Sequence, residues 1–245
     1  MKSLLKAAFC RTPYRIIRAR DANRFQAIEE TLQSLKRRGF APKVIIDGGA
    51  NVGAFARLAN RIFGVSAEVL MFEPQPACLP FLEALSKEPG FTLHATAIGS
   101  KSDQSLELAI DPAAVTTGAH VARTEASSGF TVSVPVITLD NVFENTLGSE
   151  DRAVLKLDLQ GWELEALLGA HAILPRVEVV LIEVSFFTQD YEPPIATLVR
   201  FFDEADFDLH DIASLGARCR DNRAHQADFL FVNRRSPLAA DKAWG

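Results

Sequence analysis

Cysteine is scarce in this chain: Cys10, Cys78 and Cys219 are odd in number and far apart. No Cys-x-x-Cys pair and no Cys/His cluster occurs, which excludes a disulfide framework and a structural zinc site of the usual spacing. A reducing, cytoplasmic setting follows as the default. Excess positive charge is also missing. Lys and Arg number 26 against 31 Asp and Glu, a net charge of −5, which argues against a general nucleic-acid binder. The apolar run near the N-terminus is broken by Lys6, so neither a secretory signal nor a transmembrane segment is expected. Internal repeats and low-complexity tracts are absent too.

What is present is an ordinary globular composition, 48% hydrophobic and 23% charged over 245 residues. That length suffices for a sizeable core in one α/β domain or two small ones. Residues 1–24 carry Lys2, Lys6, Arg11, Arg15, Arg18, Arg20 and Arg24 against Asp21 alone. Two readings stand. One is a solvated basic arm packed beside the domain or against a second copy of the chain in a homo-oligomer. The other is a basic amphipathic helix making peripheral contact with anionic lipid. The expected division is an arm and helix over 1–40, a main domain over 41–235 and a tail over 236–245.

Periodicity predicts a helix over 21–38 with Phe25, Ile28, Leu32 and Leu35 on one face. Arg37 and Arg38 suit its last turn and Gly39 the position just beyond. Strands are expected at 43–47, 68–73, 91–98, 153–158 and 177–184. Helices alternate with them: 52–63, one marked by Leu79, Leu82 and Leu85, and 163–174 with Leu164, Leu167 and Leu168 facing inward. After a helix over 194–205, strands at 207–213 and 227–232 are joined by a short connection, as in an antiparallel pair at a sheet edge. The fold class is therefore α/β: a doubly wound, mostly parallel seven-stranded sheet. Residues 104–138 interrupt the alternation and read as an inserted hairpin with a loop. His120 lies inside it, over the site as a lid or substrate contact.

The richest stretch is Asp47-Gly48-Gly49-Ala50-Asn51-Val52-Gly53, between the apolar run Val44-Ile45-Ile46 and a helical pattern at Phe55, Leu58, Ala59 and Ile62. A glycine turn between strand and helix brings backbone N–H groups toward a ligand. The carboxylate at its head would repel a pyrophosphate and accept an ammonium or a sulfonium. In such sheets ligands bind outside the carboxyl ends of the strands. Four expected strands end there in an acid: Asp47, Glu73, Asp158 and Glu183. Buried carboxylates need partners, so four on one rim point to a polar site. Glu73 follows Asp47 by 26 residues, the place of an acid that holds ribose hydroxyls. That fits NAD and S-adenosylmethionine alike, but the register Gly49-x-Asn51-x-Gly53 behind Asp47 disfavours NAD. An NAD-linked oxidoreductase and a non-catalytic module remain as alternatives.

The ordered set of motifs resembles the FkbM family of class I methyltransferases. Its pieces are Asp47 to Gly53, Phe72-Glu73-Pro74, Ala97-Ile98-Gly99, Val134 to Asp140, Leu155 to Glu163, Ile182-Glu183-Val184 and Gln226 to Val232. The resemblance implies methyl transfer from S-adenosylmethionine to a hydroxyl of a sugar, glycan or natural product, a small-molecule or glycan acceptor. It places Asp47, Gly49, Asn51 and Gly53, with Gly48 beside them, at the methionine end. Glu73 falls to the ribose, Ala97 and Ile98 to the adenine, and Asp158 to the reacting centre. Gln160 stands where the family usually has Glu; a neutral amide is no base. An alcohol acceptor needs help losing its proton. The proton acceptor would be Asp158, Glu183 or His120, the last because imidazole titrates near neutrality. Otherwise Asp158 and Glu183 would hold a Mg²⁺; the metal-free route is preferred and no metal site is assigned. Trp162, Ser185-Phe186-Phe187 and Tyr191 read either as acceptor-pocket lining or as core.

Overall fold

Val44–Gly48 forms strand β1, buried at every position, as a continuous apolar run at the centre of a parallel sheet should be. The computed structural model describes residues 24–110, 119–122, 130–144, 148, 152–187, 192–218 and 220–240. β1 lies between β2 (Glu68–Phe72) and β8 (Ala153–Leu157), parallel to both. Outside β2 lies β3 (Phe91–His94), and outside β8 lies β9 (Val177–Ser185), again parallel. The C-terminal strands β10 (Phe207–Ala217) and β11 (Ala224–Asn233) complete seven strands in the order β10-β11-β9-β8-β1-β2-β3. β11 is antiparallel to both its neighbours, and β10 forms the edge. The chain reverses direction across the sheet between β1 and β8, which makes the gap above them the switch point.

Strand alternation sends successive side chains to opposite faces, and two cores result. Ile45, Val69, Met71, Val154 and Leu181 pack under helices α1 (Arg24–Arg37), α2 (Ala54–Phe63) and α3 (Leu79–Leu85). Ile46, Leu70, Leu155, Val180 and Phe231 face α4 (Leu139–Phe143), α5 (Glu163–Leu168) and α6 (Ile195–Glu204). The short α7 (Pro237–Ala240) buries Leu238 and Ala239 on the first face. Among the described residues no helix is long and apolar enough to cross a membrane.

The inserted segment builds a second sheet, β4-β7-β5-β6, from Ala97–Ile98, Phe130–Ile137, Gln104–Ile110 and His120–Val121. The expected hairpin is β5 against β7. The expected strand 91–98 is divided: β3 ends at His94, and Ala97–Ile98 crosses to the second sheet.

Two expectations fail on helix faces. The helix expected over 163–174 stops at Leu168 and leaves Leu168 50% exposed. At Gly169 the backbone runs against Gly99; a Cβ there would lie 2.0 Å from the Gly99 carbonyl oxygen. The chain then turns into a 3₁₀ segment, Leu174–Arg176, with Pro175 inside it. On α1, Ala27, Ile28, Thr31, Leu32 and Leu35 are buried while Phe25 is 47% exposed. Gly39 just past its end takes φ +88°, as a helix stop requires.

Candidate active site

A cavity of about 300 Å³ opens at the switch point, between the turn after β1 and the loop after β8. The turn is pinned from both sides. Gly49 and Ala50 donate their N–H groups to the Phe72 carbonyl at the end of β2 (3.0 and 3.1 Å). On the other side the Asp158 N–H donates to Gly48 O at 3.2 Å. Gly49 has φ +73°, and a Cβ on it would fall 2.0 Å from the Asp158 carbonyl oxygen. Glycine is required there twice over, by conformation and by space. The Asn51 N–H donates to Glu73 Oε2 (2.8 Å), Val52 N–H to Asn51 Oδ1 (2.9 Å) and Gly53 N–H to Ala50 O (2.8 Å). All five N–H groups from Gly49 to Gly53 are thus accepted within the protein. The expected row of N–H groups aimed at a ligand is not formed.

Asp47 also departs from expectation. It is fully buried beneath the turn and does not line the cavity. Its carboxylate forms an ion pair with Lys156 Nζ at 2.9 Å. The same ammonium donates to the Gly48 and Gly49 carbonyls at 3.1 and 2.7 Å. Burial alone would lower the Lys156 pKa; the attraction of Asp47 and Asp158 outweighs it and raises it. Asp47 therefore acts on the turn through Lys156, and its charge is compensated before any ligand arrives. Gly48 and Gly53 likewise sit behind the surface. A Cβ on Gly48 would meet Leu157 at 2.9 Å, and one on Gly53 would meet Leu85 at 2.8 Å.

Glu73, Asn51, Ala97 and Ile98 do line the cavity. Glu73 accepts from Asn51 N–H through one oxygen and from Gln75 N–H through the other (2.9 Å). Each carboxylate oxygen keeps lone pairs for a further donor. Burial pushes its pKa up, against the pull of those two N–H groups. The opposite wall is apolar, with Leu106 and Leu108 of β5 and Val121 of β6. His120 pairs with Ala109 on β5 and does not line the cavity; Ala119 and Val121 on either side do. Strand alternation turns its ring away, so it is not brought to Asp158 and Glu183.

Asp158 and Glu183 do come together. Gln160 Nε2 donates to Asp158 Oδ1 at 2.8 Å and to Glu183 Oε2 at 3.0 Å. Arg24 reaches down from α1, with Nη2 3.0 Å from Asp158 Oδ2 and Nη1 3.2 Å from Glu183 Oε1. It also forms a two-pronged pair with Asp228, Nε to Oδ2 at 2.8 Å and Nη2 to Oδ1 at 2.6 Å. Gln226 Nε2 donates to Glu183 Oε1 at 2.8 Å, and the Ser214 hydroxyl donates to Asp228. Between the two acids, where the alternative reading expects Mg²⁺, lie a guanidinium and an amide. Among the described residues no group of three His, Cys, Asp or Glu side chains is placed to hold a metal ion. Burial first, and then the Asp158 charge, pushes Glu183 up to about 8. Asp158 is held below its ordinary value: burial would raise it, but Lys156 and Arg24 prevail.

The loop joining β8 to α5 is held by Glu163, 3% exposed. Its Oε1 accepts from Leu159 N–H at 2.7 Å and its Oε2 from Gly161 N–H at 3.1 Å. That support holds Gln160 and Gly161 in left-handed conformations, φ +53° and +97°. Trp162 lines the cavity. Phe186 instead packs against Phe229, Phe187 lies under Arg218 and Arg223, and Ser185 donates to Glu192. None of these three lines the cavity. Tyr191 lies outside the described residues. Lys156, Glu163, Asp228 and Arg24 are the site residues the motif reading missed. A lone Lys or Asp inside an apolar strand, as at 156 and 228, signals a buried partner. Arg24 carries no such signal among seven basic residues.

A doubly wound sheet with its cavity at the switch point, an acid after β2, an acid after β8 and a third near the carboxyl end of β9 defines a class I methyltransferase architecture. The sequence bears this out: residues 47–210 match the methyltransferase FkbM domain. That is most of the chain, which therefore belongs to the FkbM methyltransferase family and is a methyltransferase. The oxidoreductase alternative falls with this assignment. No protein of curated function matches the sequence. Solved structures of methyltransferases resemble the chain at low identity and with TM-scores below 0.5. An rRNA methylase from Streptococcus thermophilus has a TM-score of 0.47 at 12% identity, covering 89% of this chain and 99% of that one. The 1,6-didemethyltoxoflavin-N1-methyltransferase of Burkholderia thailandensis, solved with bound 1,6-didemethyltoxoflavin and S-adenosylhomocysteine, gives 0.46 at 13%, covering 87% and 80%. A precorrin-6y C5,15-methyltransferase from Geobacter metallireducens gives 0.44 at 12%, covering 90% and 93%.

Proposed function

We propose that the protein transfers a methyl group from S-adenosylmethionine to a hydroxyl oxygen of a sugar, glycan or natural product. The observation that carries the cofactor reading is the saturated turn. A dinucleotide site needs unspent backbone N–H groups for its pyrophosphate, and none remains from Gly49 to Gly53. The cavity's donor set suits a nucleoside without phosphate. Glu73 offers lone pairs to ribose hydroxyls, and Ala97, Ile98, Leu106 and Leu108 offer an apolar wall to a purine. Asn51 and the acids around Asp158 suit an ammonium and a sulfonium.

When bound, the cofactor supplies a methyl on a sulfonium, already a good leaving group. The protein must align the acceptor oxygen and exclude water, which in favourable cases lowers a barrier by roughly 7–11 kcal/mol. Asp158, which lines the cavity, is the group we assign to take the hydroxyl proton, with Glu183 behind it and joined to it through Gln160. Gln160 holds one oxygen of each and itself moves no proton. Calorimetry with S-adenosylhomocysteine tests the cofactor reading, and no heat at millimolar ligand would end it. Mass spectrometry of candidate acceptors after incubation with the labelled donor tests the oxygen reading; label found only on nitrogen or carbon would replace it.

A further inference from the structure

Arg24 precedes the family-matched residues 47–210, yet its guanidinium sits against Asp158 and Asp228 of the cavity wall and Glu183 behind them. Asp158 follows β8, and Glu183 and Asp228 lie in the adjacent strands β9 and β11. Their side chains are 20%, 12% and 4% exposed, and Arg24 touches all three. It lines the same cavity as Glu73 and Gly49, together with Phe25 and Ile28 of its own helix. Without it Lys156 would still offset Asp158, while Glu183 and Asp228 would be tied by the neutral groups of Gln160, Gln226 and Ser214. Three adjacent carboxylates repel one another.

A concentration of negative charge there has a second consequence. A positively charged methyl donor in the same cavity would be held tightly by its charge. Methyl transfer discharges the sulfonium to a neutral thioether, so that attraction is stronger before the reaction than at its midpoint. Binding that favours the ground state does not speed the chemical step. A fixed cation inside the acid cluster removes part of this attraction while keeping the carboxylates ordered as proton acceptors.

We propose that Arg24 is a positioning residue for methyl transfer. It gathers Asp158, Glu183 and Asp228 and cancels part of their charge, so that the acids serve the acceptor hydroxyl without over-binding the charged donor. The inference rests on the cofactor reading above. It assigns a site role to the helix that precedes the matched domain.

The test compares S-adenosylmethionine with S-adenosylhomocysteine, which differ by the methyl and its positive charge. Both are titrated calorimetrically at pH 8.5 into the full chain and into Arg24→Gln and Arg24→Lys. Removing a unit charge several ångströms away in a partly buried site is expected to raise the preference for the charged ligand about tenfold in Arg24→Gln. Arg24→Lys keeps the charge, and its preference should stay within about twofold of the parent. A purely structural role would weaken both ligands together and leave the ratio unchanged, which would overturn the proposal. So would an equal shift in both variants. If the parent chain binds neither ligand, the cofactor reading fails and takes this inference with it; if it binds both and the ratio does not move, this inference alone fails. The apolar face of α1, with Ile28, Leu32 and Leu35 buried, keeps the helix docked in both variants. Thermal midpoints close to the parent's confirm that the comparison is made on folded protein.

Discussion

One missing carbon decides the turn after β1. Alanine at position 49 would bear a left-handed backbone, about 1–2 kcal/mol, and press its methyl into the Asp158 carbonyl oxygen, about 1–3 kcal/mol more. Gly49→Ala should therefore lose about 3 kcal/mol of stability, read as a lower urea midpoint. Gly39 shares the left-handed φ but has nothing within 4 Å, so Gly39→Ala should lose only about 1–2 kcal/mol; equal losses would show that crowding at Gly49 is relieved elsewhere. Glu73→Ala removes the acceptor of Asn51 and Gln75 N–H and the proposed ribose partner. A charge-assisted bond of about 2 kcal/mol corresponds to a loss of about 30-fold in S-adenosylhomocysteine affinity by calorimetry; unchanged affinity would remove the ribose assignment. At this scale the sequence was half legible. Glu73 could be placed from its spacing because strand, turn and helix lengths are nearly fixed. Asp47 could be placed but misjudged. A motif says which residue heads the turn, and only the fold shows that Lys156, 109 positions later, has already met its charge.

At the scale of elements, hydrophobic runs named the main strands, because a strand covered on both faces must be apolar throughout. Boundaries failed where one backbone passes close to another. The leucine pattern after Trp162 continues past Leu168, but the chain leaves the helix at Gly169 to clear Gly99. Gly169 has φ −89°, so alanine there bears no backbone strain. Gly169→Ala should lose about 1–3 kcal/mol by overpacking alone, with the helical circular dichroism preserved. The second sheet was legible only as a hairpin, because the pairing of β4 with β7 joins residues far apart in sequence. His120 is the clearest miss: loop position suggested reach, whereas strand register chose Val121 for the cavity.

For the whole molecule, the buried acids make stability depend on pH in a direction that can be worked out. Burial pushes Glu163 up to about 7 from an ordinary 4.5, and Glu183 up to about 8. A folded-state pKa above the unfolded value means the native state prefers the proton. Their contribution is thus fully present below about 4.5 and is lost as pH rises through 7 to 8. Asp158, held below its ordinary value, works the other way: its contribution is lost only under strong acid. The protein should therefore be more stable at pH 5 than at pH 8, the reverse of a chain whose acids are all paired. Glu163 alone accounts for about 2.5 kcal/mol of that difference. Glu163→Gln keeps an acceptor oxygen for the Leu159 and Gly161 N–H groups and removes the titration. Its urea midpoint should fall less than the parent's between pH 5 and pH 8, with the two chains closest at the acid end. A variant that stays parallel to the parent across this range would show that Glu163 is ionised throughout in the native state. Its two N–H donors would then outweigh burial, and the loop bearing Gln160 would be held by a buried charge.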